Sequence, residues 1–331
     1  MKAIVYREFG PPDVLRLEEV ERPIPASDEI LIRVRATPIN YGDLTARNFR
    51  NLPLREFNMP LPLYIPTRLF FGIRRPKLRI LGSEFAGEVE AIGKEVKRFN
   101  KGDRVFGYLG MKMGAYAEYL SISEDSTVGI APENMSYEEA CTLPYGGIMA
   151  SSLLEKAGIR SRTRVLINGA SGGIGSMAVQ LAKNYGAEVT GVCGTSGLEY
   201  VKSLGADKVI DYKKEDFTEI GEKYDLVFDI LGKSSFSYCK NSLTENGVYF
   251  PVSFKTKELL QMMRTNIIGS KKVLCGLASE KVEYLAALKE LAESGKIKTV
   301  VDRSYPLEEA AEAHRYAEEG GKQGPVVITI D

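Results

Sequence analysis

Residues 164–183 read RVLINGASGGIGSMAVQLAK. An apolar run from Arg164 to Asn168 meets glycines at 169, 172 and 175, and apolar residues then recur at helical spacing. This predicts a strand, a tight turn and a helix. Glycine in such a turn permits the bend, lets backbone approach a diphosphate and lets the helix pack close to the sheet. The helix N-terminus offers free N–H groups and a positive dipole end. Candidate dinucleotide contacts are therefore Gly169, Ser171, Gly172, Gly173, Ile174 and Gly175. The spacing is G-x-x-G-x-x-G, not the G-x-G-x-x-G fingerprint, so the reading depends on its strand–helix setting.

That setting extends in both directions. From about 126 onward, continuous apolar runs (EVTGVC, KVIDY, YDLVFDILG, VYFPVSF, KKVLCGLA) alternate with helical stretches. Such alternation marks a parallel sheet covered on both faces. Upstream, KAIVY, VLRLEEV and EILIRVRATPI are short strands broken by Gly, Pro and Asp, which predicts a bent antiparallel unit over residues 1–125. After 279, two helical stretches are interleaved with the strand-like KTVVDRSY and PVVITI. The latter matches the opening texture, so the tail is expected to return to the first unit. The expected organisation is 1–125, 126–278 and 279–331, with an α/β class, doubly wound sheet plus β-rich domain.

The second strand of the alternating series bears on cofactor choice. An NAD site places Asp or Glu at that strand's end to bind the ribose 2′-hydroxyl. In EVTGVCGTS the only acid, Glu188, lies at the wrong end, and Thr195 and Ser196 follow Gly194. A 2′-phosphate would meet two hydroxyls and no carboxylate, which favours NADPH, although GTSGLEY lacks the usual basic residue. The alternative is that Thr195 and Ser196 cap the following helix.

Composition narrows the classes. The 331 residues carry 44 Lys plus Arg against 44 Asp plus Glu, so no global charge favours nucleic acid. No run of about 18 apolar residues predicts a membrane span. MKAIVYREFG carries charge too early for a signal peptide, and four scattered cysteines read as reduced thiols, so a cytoplasmic protein is expected. The single histidine, His314, removes most zinc enzymes and every two-histidine mechanism. Its place in EEAAEAHRYAEEG reads as an exposed or capping helical position.

VLINGASGGIGSMAVQLAK, SLGADKVIDY, YDLVFDILG and MKAIVYREFG together resemble the medium-chain dehydrogenase/reductase superfamily, in its zinc-independent quinone oxidoreductase branch. LFFGIRRPKLRILGSEFAGEVEAIG resembles one subgroup of that branch. The resemblance implies a GroES-like domain around a Rossmann domain, NADPH in the cleft between them, and a homodimer joined through KKVLCGLA. It implies that Tyr212 lies near the adenosine 2′-phosphate, with Leu231, Gly232 and Ser253 along the nicotinamide ribose. Lys322 falls near the family's late glycine-lysine motif, but Gln323 and Gly324 follow where valine is common.

Where zinc-dependent members place Cys, His and Cys on the catalytic metal, this chain has Asn40, Ser83 and Tyr145. Amide, hydroxyl and phenol do not make a zinc site, so no metal is expected. Without a Lewis acid a conjugated acceptor is the easier substrate, because hydride addition delocalises charge onto an oxygen that hydrogen bonds can stabilise. The implied reaction is hydride transfer from NADPH to a quinone or an α,β-unsaturated carbonyl. Asn40 is expected to hold the carboxamide or donate to the substrate oxygen. Tyr145 is expected to donate to the developing oxyanion, or alternatively to pack as a half-buried tyrosine. Met149 stands where many relatives carry Thr, and no acid is evident. That leaves two rival readings: a non-enzymatic NADPH-binding sensor, nucleic-acid-binding or structural protein, and an enoyl-thioester reductase. The 45–81 insert, with its RRPK cluster, reads either as a lid or as an excursion covering the core.

Overall fold

The computed structural model describes residues 1–57, 59–320 and 322–331; Asn58 of the insert and Gly321 of the glycine-lysine stretch lie outside the described residues. Strands β1 (Lys2–Val5) and β2 (Arg16–Glu19) form a small antiparallel ladder. Strand β3 (Glu29–Ile39) is long and buries Ile30, Ile32 and Val34 completely. It ends at Asn40, which caps helix α1 (Tyr41–Arg47): the Asn40 side chain accepts from the N–H of Gly42 and Asp43, and Asp43 reaches back to the Asn40 N–H. Helix α2 (Tyr64–Phe71) follows within the insert. Strands β4 (Glu84–Ile92), β5 (Arg104–Tyr108), β6 (Tyr119–Ser123) and β7 (Val128–Ile130) then complete the N-terminal share of a bent, mainly antiparallel sheet.

Helices α3 (Tyr137–Ala140) and α4 (Pro144–Lys156) lead into the second sheet. Its elements are β8 (Arg164–Asn168), α5 (Gly173–Asn184), β9 (Glu188–Cys193), α6 (Leu198–Ser203), β10 (Lys208–Asp211), β11 (Tyr224–Asp229), α7 (Phe236–Cys239), β12 (Leu243–Pro251), α8 (Thr256–Ile267) and β13 (Lys272–Val273). The six strands are all parallel, in spatial order β10-β9-β8-β11-β12-β13. Val165, Leu166 and Ile167 of β8 are fully buried, as a strand covered on both faces requires. The connection order reverses between β8 and β11, and ligands of such sheets bind beyond the strand ends at that reversal.

After helix α9 (Val282–Glu293), strand β14 (Arg303–Pro306), helix α10 (Ala310–Glu319) and strand β15 (Val326–Thr329) return to the first sheet. Strand β15 pairs antiparallel with β3, its Val327 opposite Pro38. The strand-like KTVVDRSY forms a strand only over Arg303–Pro306. The backbone of Lys298 is satisfied instead by Gln180 of α5, which accepts from its N–H at 2.8 Å and donates to its carbonyl at 2.9 Å.

His314 is not exposed. It is fully buried on α10, its Nδ1 2.9 Å from Arg47 and its Nε2 3.1 Å from the Tyr116 hydroxyl. A guanidinium only donates, so Nδ1 accepts and Nε2 carries the proton. Burial, with Arg47 beside it, holds the imidazole neutral by pushing its pKa well below the ordinary value. The helical period placed His314 on α10; it could not reveal that this face meets Arg47 from the other end of the chain.

The insert covers the core: Phe49, Phe57 and Phe71 belong to the apolar cluster of the first sheet. Its RRPK run stays outside, with Arg74, Arg75 and Lys77 exposed.

Candidate active site

The turn after β8 takes the conformation that glycine allows. Gly169 has φ +93°, and a Cβ there would meet the Leu231 side chain at 2.8 Å. A Cβ at Gly175 would meet the Gly169 carbonyl oxygen at 2.1 Å, so α5 starts in direct contact with the end of β8. Gly172 is the N-cap of α5 and provides no side-chain cap; with Gly173 it is exposed, and nothing lies within 4 Å of a Cβ placed on Gly173. The helix thus presents uncapped N–H groups at the sheet's reversal point, a cradle that suits a diphosphate.

Around this turn the other predicted positions converge. Gly232, φ +60°, lies against Ser253, and Leu231 lies against Gly169. Behind them Asp229, fully buried, accepts from Asn168, Ser234 and Tyr249, which ties the ends of β8, β11 and β12 together. At the end of β9, Ser171 packs on Gly197 and Tyr212 on Gly194. Thr195 and Ser196 do not cap α6. They sit in a short 3-10 turn, and the Thr195 hydroxyl donates to Asp211 at 2.6 Å. The expectation of no carboxylate at this place is therefore corrected: Asp211 comes from the neighbouring strand β10, and Thr195 holds its pKa below the usual range. Lys213 and Lys214 follow it and are exposed, with Lys214 Nζ 4.0 Å from the Asp211 carboxylate.

On the facing side, a Cβ at Gly146 would meet the Gly173 carbonyl oxygen at 2.4 Å, so the start of α4 abuts the start of α5. Tyr145 is the neighbouring residue. Its backbone N–H donates to Glu84 Oε1 at 2.7 Å, and Glu84 Oε2 accepts from Asn40 Nδ2 at 3.2 Å. Asn40 Nδ2 also donates to Ser83 Oγ at 2.7 Å. Asn40 is thereby occupied at both ends, so direct donation to a substrate requires it to release Ser83 or Glu84. The Tyr145 ring stands 5.6 Å from that of Tyr108, and its hydroxyl makes no hydrogen bond among the described residues. Burial near Glu84 pushes the phenol up to about 12, so it keeps its proton at neutral pH. Met149 is half-buried one turn further along α4.

The reading that no acid is evident is also corrected. Glu84 and Asp43 are both buried here. Burial raises Glu84 to about 8 and Asp43 to about 7, against hydrogen bonds that favour their charged forms. Sequence offered one signal for them: each lies within three residues of a position already singled out.

Both folded-state values exceed the unfolded ones, so the stability these groups contribute is lost as pH rises towards about 8. His314, with its value depressed, acts only below about pH 6.5. Urea unfolding is therefore expected to show stability falling between pH 6.5 and 8, by at most about 1.4 kcal/mol per pH unit for each proton. Glu84→Gln should flatten that slope; an unchanged slope would remove Glu84 as its source.

Residues 26–132 match the alcohol dehydrogenase GroES-like domain family and residues 204–328 the zinc-binding dehydrogenase family. A chloroplastic quinone oxidoreductase of Triphysaria versicolor is 34% identical over 344 residues, covering 99% of this chain and 98% of that protein. The chain belongs to the medium-chain dehydrogenase/reductase superfamily, in its quinone oxidoreductase branch. A 2-methylene-furan-3-one reductase of Solanum lycopersicum is 32% identical, covering 99% of this chain and 79% of that protein. The structure of the quinone oxidoreductase from Coxiella burnetii superposes with a TM-score of 0.85 at 29% identity, over 100% of this chain and 99% of that one. As a member of this branch the protein is an oxidoreductase that uses a nicotinamide cofactor. Its parallel sheet is the superfamily's Rossmann-like unit and its bent sheet the GroES-like unit.

Proposed function

We propose that this oxidoreductase passes hydride from NADPH to a quinone or an α,β-unsaturated carbonyl, with no metal at the reacting centre. One observation carries the reading: the phenol of Tyr145, without a hydrogen bond among the described residues, adjoins the residue whose backbone touches the uncapped start of α5. The names of the quinone oxidoreductase and furanone reductase relatives support the acceptor class. Nothing in the site favours the sensor, nucleic-acid or enoyl-thioester readings.

When bound, the dinucleotide supplies hydride from C4 of its nicotinamide. The N–H groups of Gly172, Gly173, Ile174 and Gly175 would hold its diphosphate, and Gly169 and Ser171 shape that turn. Leu231, Gly232 and Ser253 would lie along the ribose. Thr195, Ser196 and Tyr212 would flank the adenosine, where Lys213 and Lys214 oppose the charge of Asp211 and would favour a 2′-phosphate. Replacing both lysines by Ser is expected to raise the NADPH Kd about tenfold and leave NADH within about twofold. Equal losses for both coenzymes would remove the preference.

Tyr145 donates a hydrogen bond to the oxygen that gains charge, and Asn40 holds Ser83 and Glu84 in place beneath it. Asn40 Nδ2 turns N–H groups, not lone pairs, toward Ser83 and Glu84, and both carboxyls already accept from backbone N–H groups. This donor set does not fit zinc. Tyr145→Phe should lower kcat about 100-fold with little change in KM. The test is oxidation of NADPH against a panel of quinones and enones. No turnover with any acceptor sinks the proposed activity, while an unchanged mutant sinks only the role of the phenol.

Residues 1–125 with 279–331 would form the substrate side and 126–278 the cofactor side. A homodimer is proposed across the β13 edge, where Leu260, Met263 and Ile267 of α8 are exposed. A cytoplasmic location is supported by four unpaired cysteines.

A further inference from the structure

We propose that residues 61–77 dock the protein onto an anionic lipid surface. The amphipathic pattern of α2 is the anomaly. Its inward stripe is Thr67 and Phe71, so the opposite side should be polar in water. Instead that side carries Ile65 and Leu69, exposed by 68% and 50%, with Phe70 on the flank exposed by 42%. Leu61, Leu63 and Ile73 extend the same exposure on either flank. Six exposed large apolar side chains within thirteen residues mark a binding face.

Charge identifies the occupant. Between 45 and 81 the chain holds eight Arg or Lys and one acid, Glu56, although its 44 basic and 44 acidic residues cancel overall. Arg74, Arg75 and Lys77 are exposed directly after the apolar run, and none of them makes an ion pair among the described residues. Apolar side chains rimmed by unpaired basic ones describe a segment lying in a headgroup layer. A second copy fits less well, because a two-fold contact through this face would set its basic rim near itself. The face is peripheral, since no described helix is long and apolar enough to cross a membrane. It is also tied to the site: the excursion that carries residues 61–77 begins after Asn40 and ends before Ser83, which are hydrogen-bonded to each other at 2.7 Å.

The test is flotation of the whole protein with vesicles of phosphatidylcholine alone or mixed equally with phosphatidylglycerol. Recovery is expected with the mixed vesicles and not with the neutral ones. Ile65→Ser with Leu69→Ser, and separately Arg74→Glu with Arg75→Glu, should each lower recovery at least tenfold, with unchanged thermal melting. Equal recovery on both vesicle types, no recovery, or variants that bind like the parent would overturn the proposal. So would lipid-free self-association, seen by light scattering, that the serine variant abolishes. None of these results depends on which acceptor the enzyme reduces.

Discussion

Gly175→Val is expected to destabilise the protein by more than about 4 kcal/mol and lower its melting temperature by about 6 °C or more. The new Cβ would stand 2.1 Å from the Gly169 oxygen and 2.8 Å from the Ala170 Cα. Both are backbone atoms, so neither can swing aside. Relief requires α5 to move off β8, and that opens a gap in the core containing Ile167, Ala170 and Ala178. Gly173→Ala provides the comparison. It has open space at its Cβ, so it should melt like the parent while binding NADPH at least about tenfold more weakly. Thermal melting and fluorescence titration of the pair separate the packing of the turn from its proposed contact with the cofactor. A Gly175→Val protein that melts like the parent would refute the close contact.

His314→Leu is expected to cost about 2–4 kcal/mol. Arg47 is 1% exposed, and its guanidinium is satisfied by the Gly10 carbonyl, Glu318 and His314. Leucine leaves one of its N–H groups and the Tyr116 oxygen without their partner inside the core. Charged donors are the costliest to orphan, and water cannot enter as a substitute at full burial. Tyr116 also donates to Asp43, whose oxygens hold the N–H groups of Asn40 and Gly82. The loss therefore falls on the framework under the site. Urea unfolding measures it, and a change below about 1 kcal/mol would show that the histidine is dispensable.

The two effects differ in how visible their causes are in sequence. The glycine turn was legible because strand, turn and helix are local, and a side chain is excluded at 169 by its positive φ and at 175 by the Gly169 oxygen. The parallel sheet was legible for the same reason, from continuous apolar runs such as YDLVFD. The partners of single polar residues were not. Asp211 reaches Thr195 from an adjacent strand, Glu84 reaches Tyr145 across 61 residues, and His314 meets Arg47 across 267. Periodicity assigns a residue to an element but does not say what will face it. Motif position placed Asn40, Ser83 and Tyr145 near one another. It could not show that the Asn40 amide is already committed, or that the acids beside it are dry.

The pairing of β15 with β3 bears on the order of events during synthesis. The parallel sheet is made from one unbroken stretch of chain and can assemble as that stretch leaves the ribosome. The strand that leads into Asn40 pairs early with β4 and β6 but waits almost three hundred residues for its last neighbour. A nascent chain clipped before β15 would have its parallel sheet complete and its bent sheet ajar, with an unpaired margin open to aggregation.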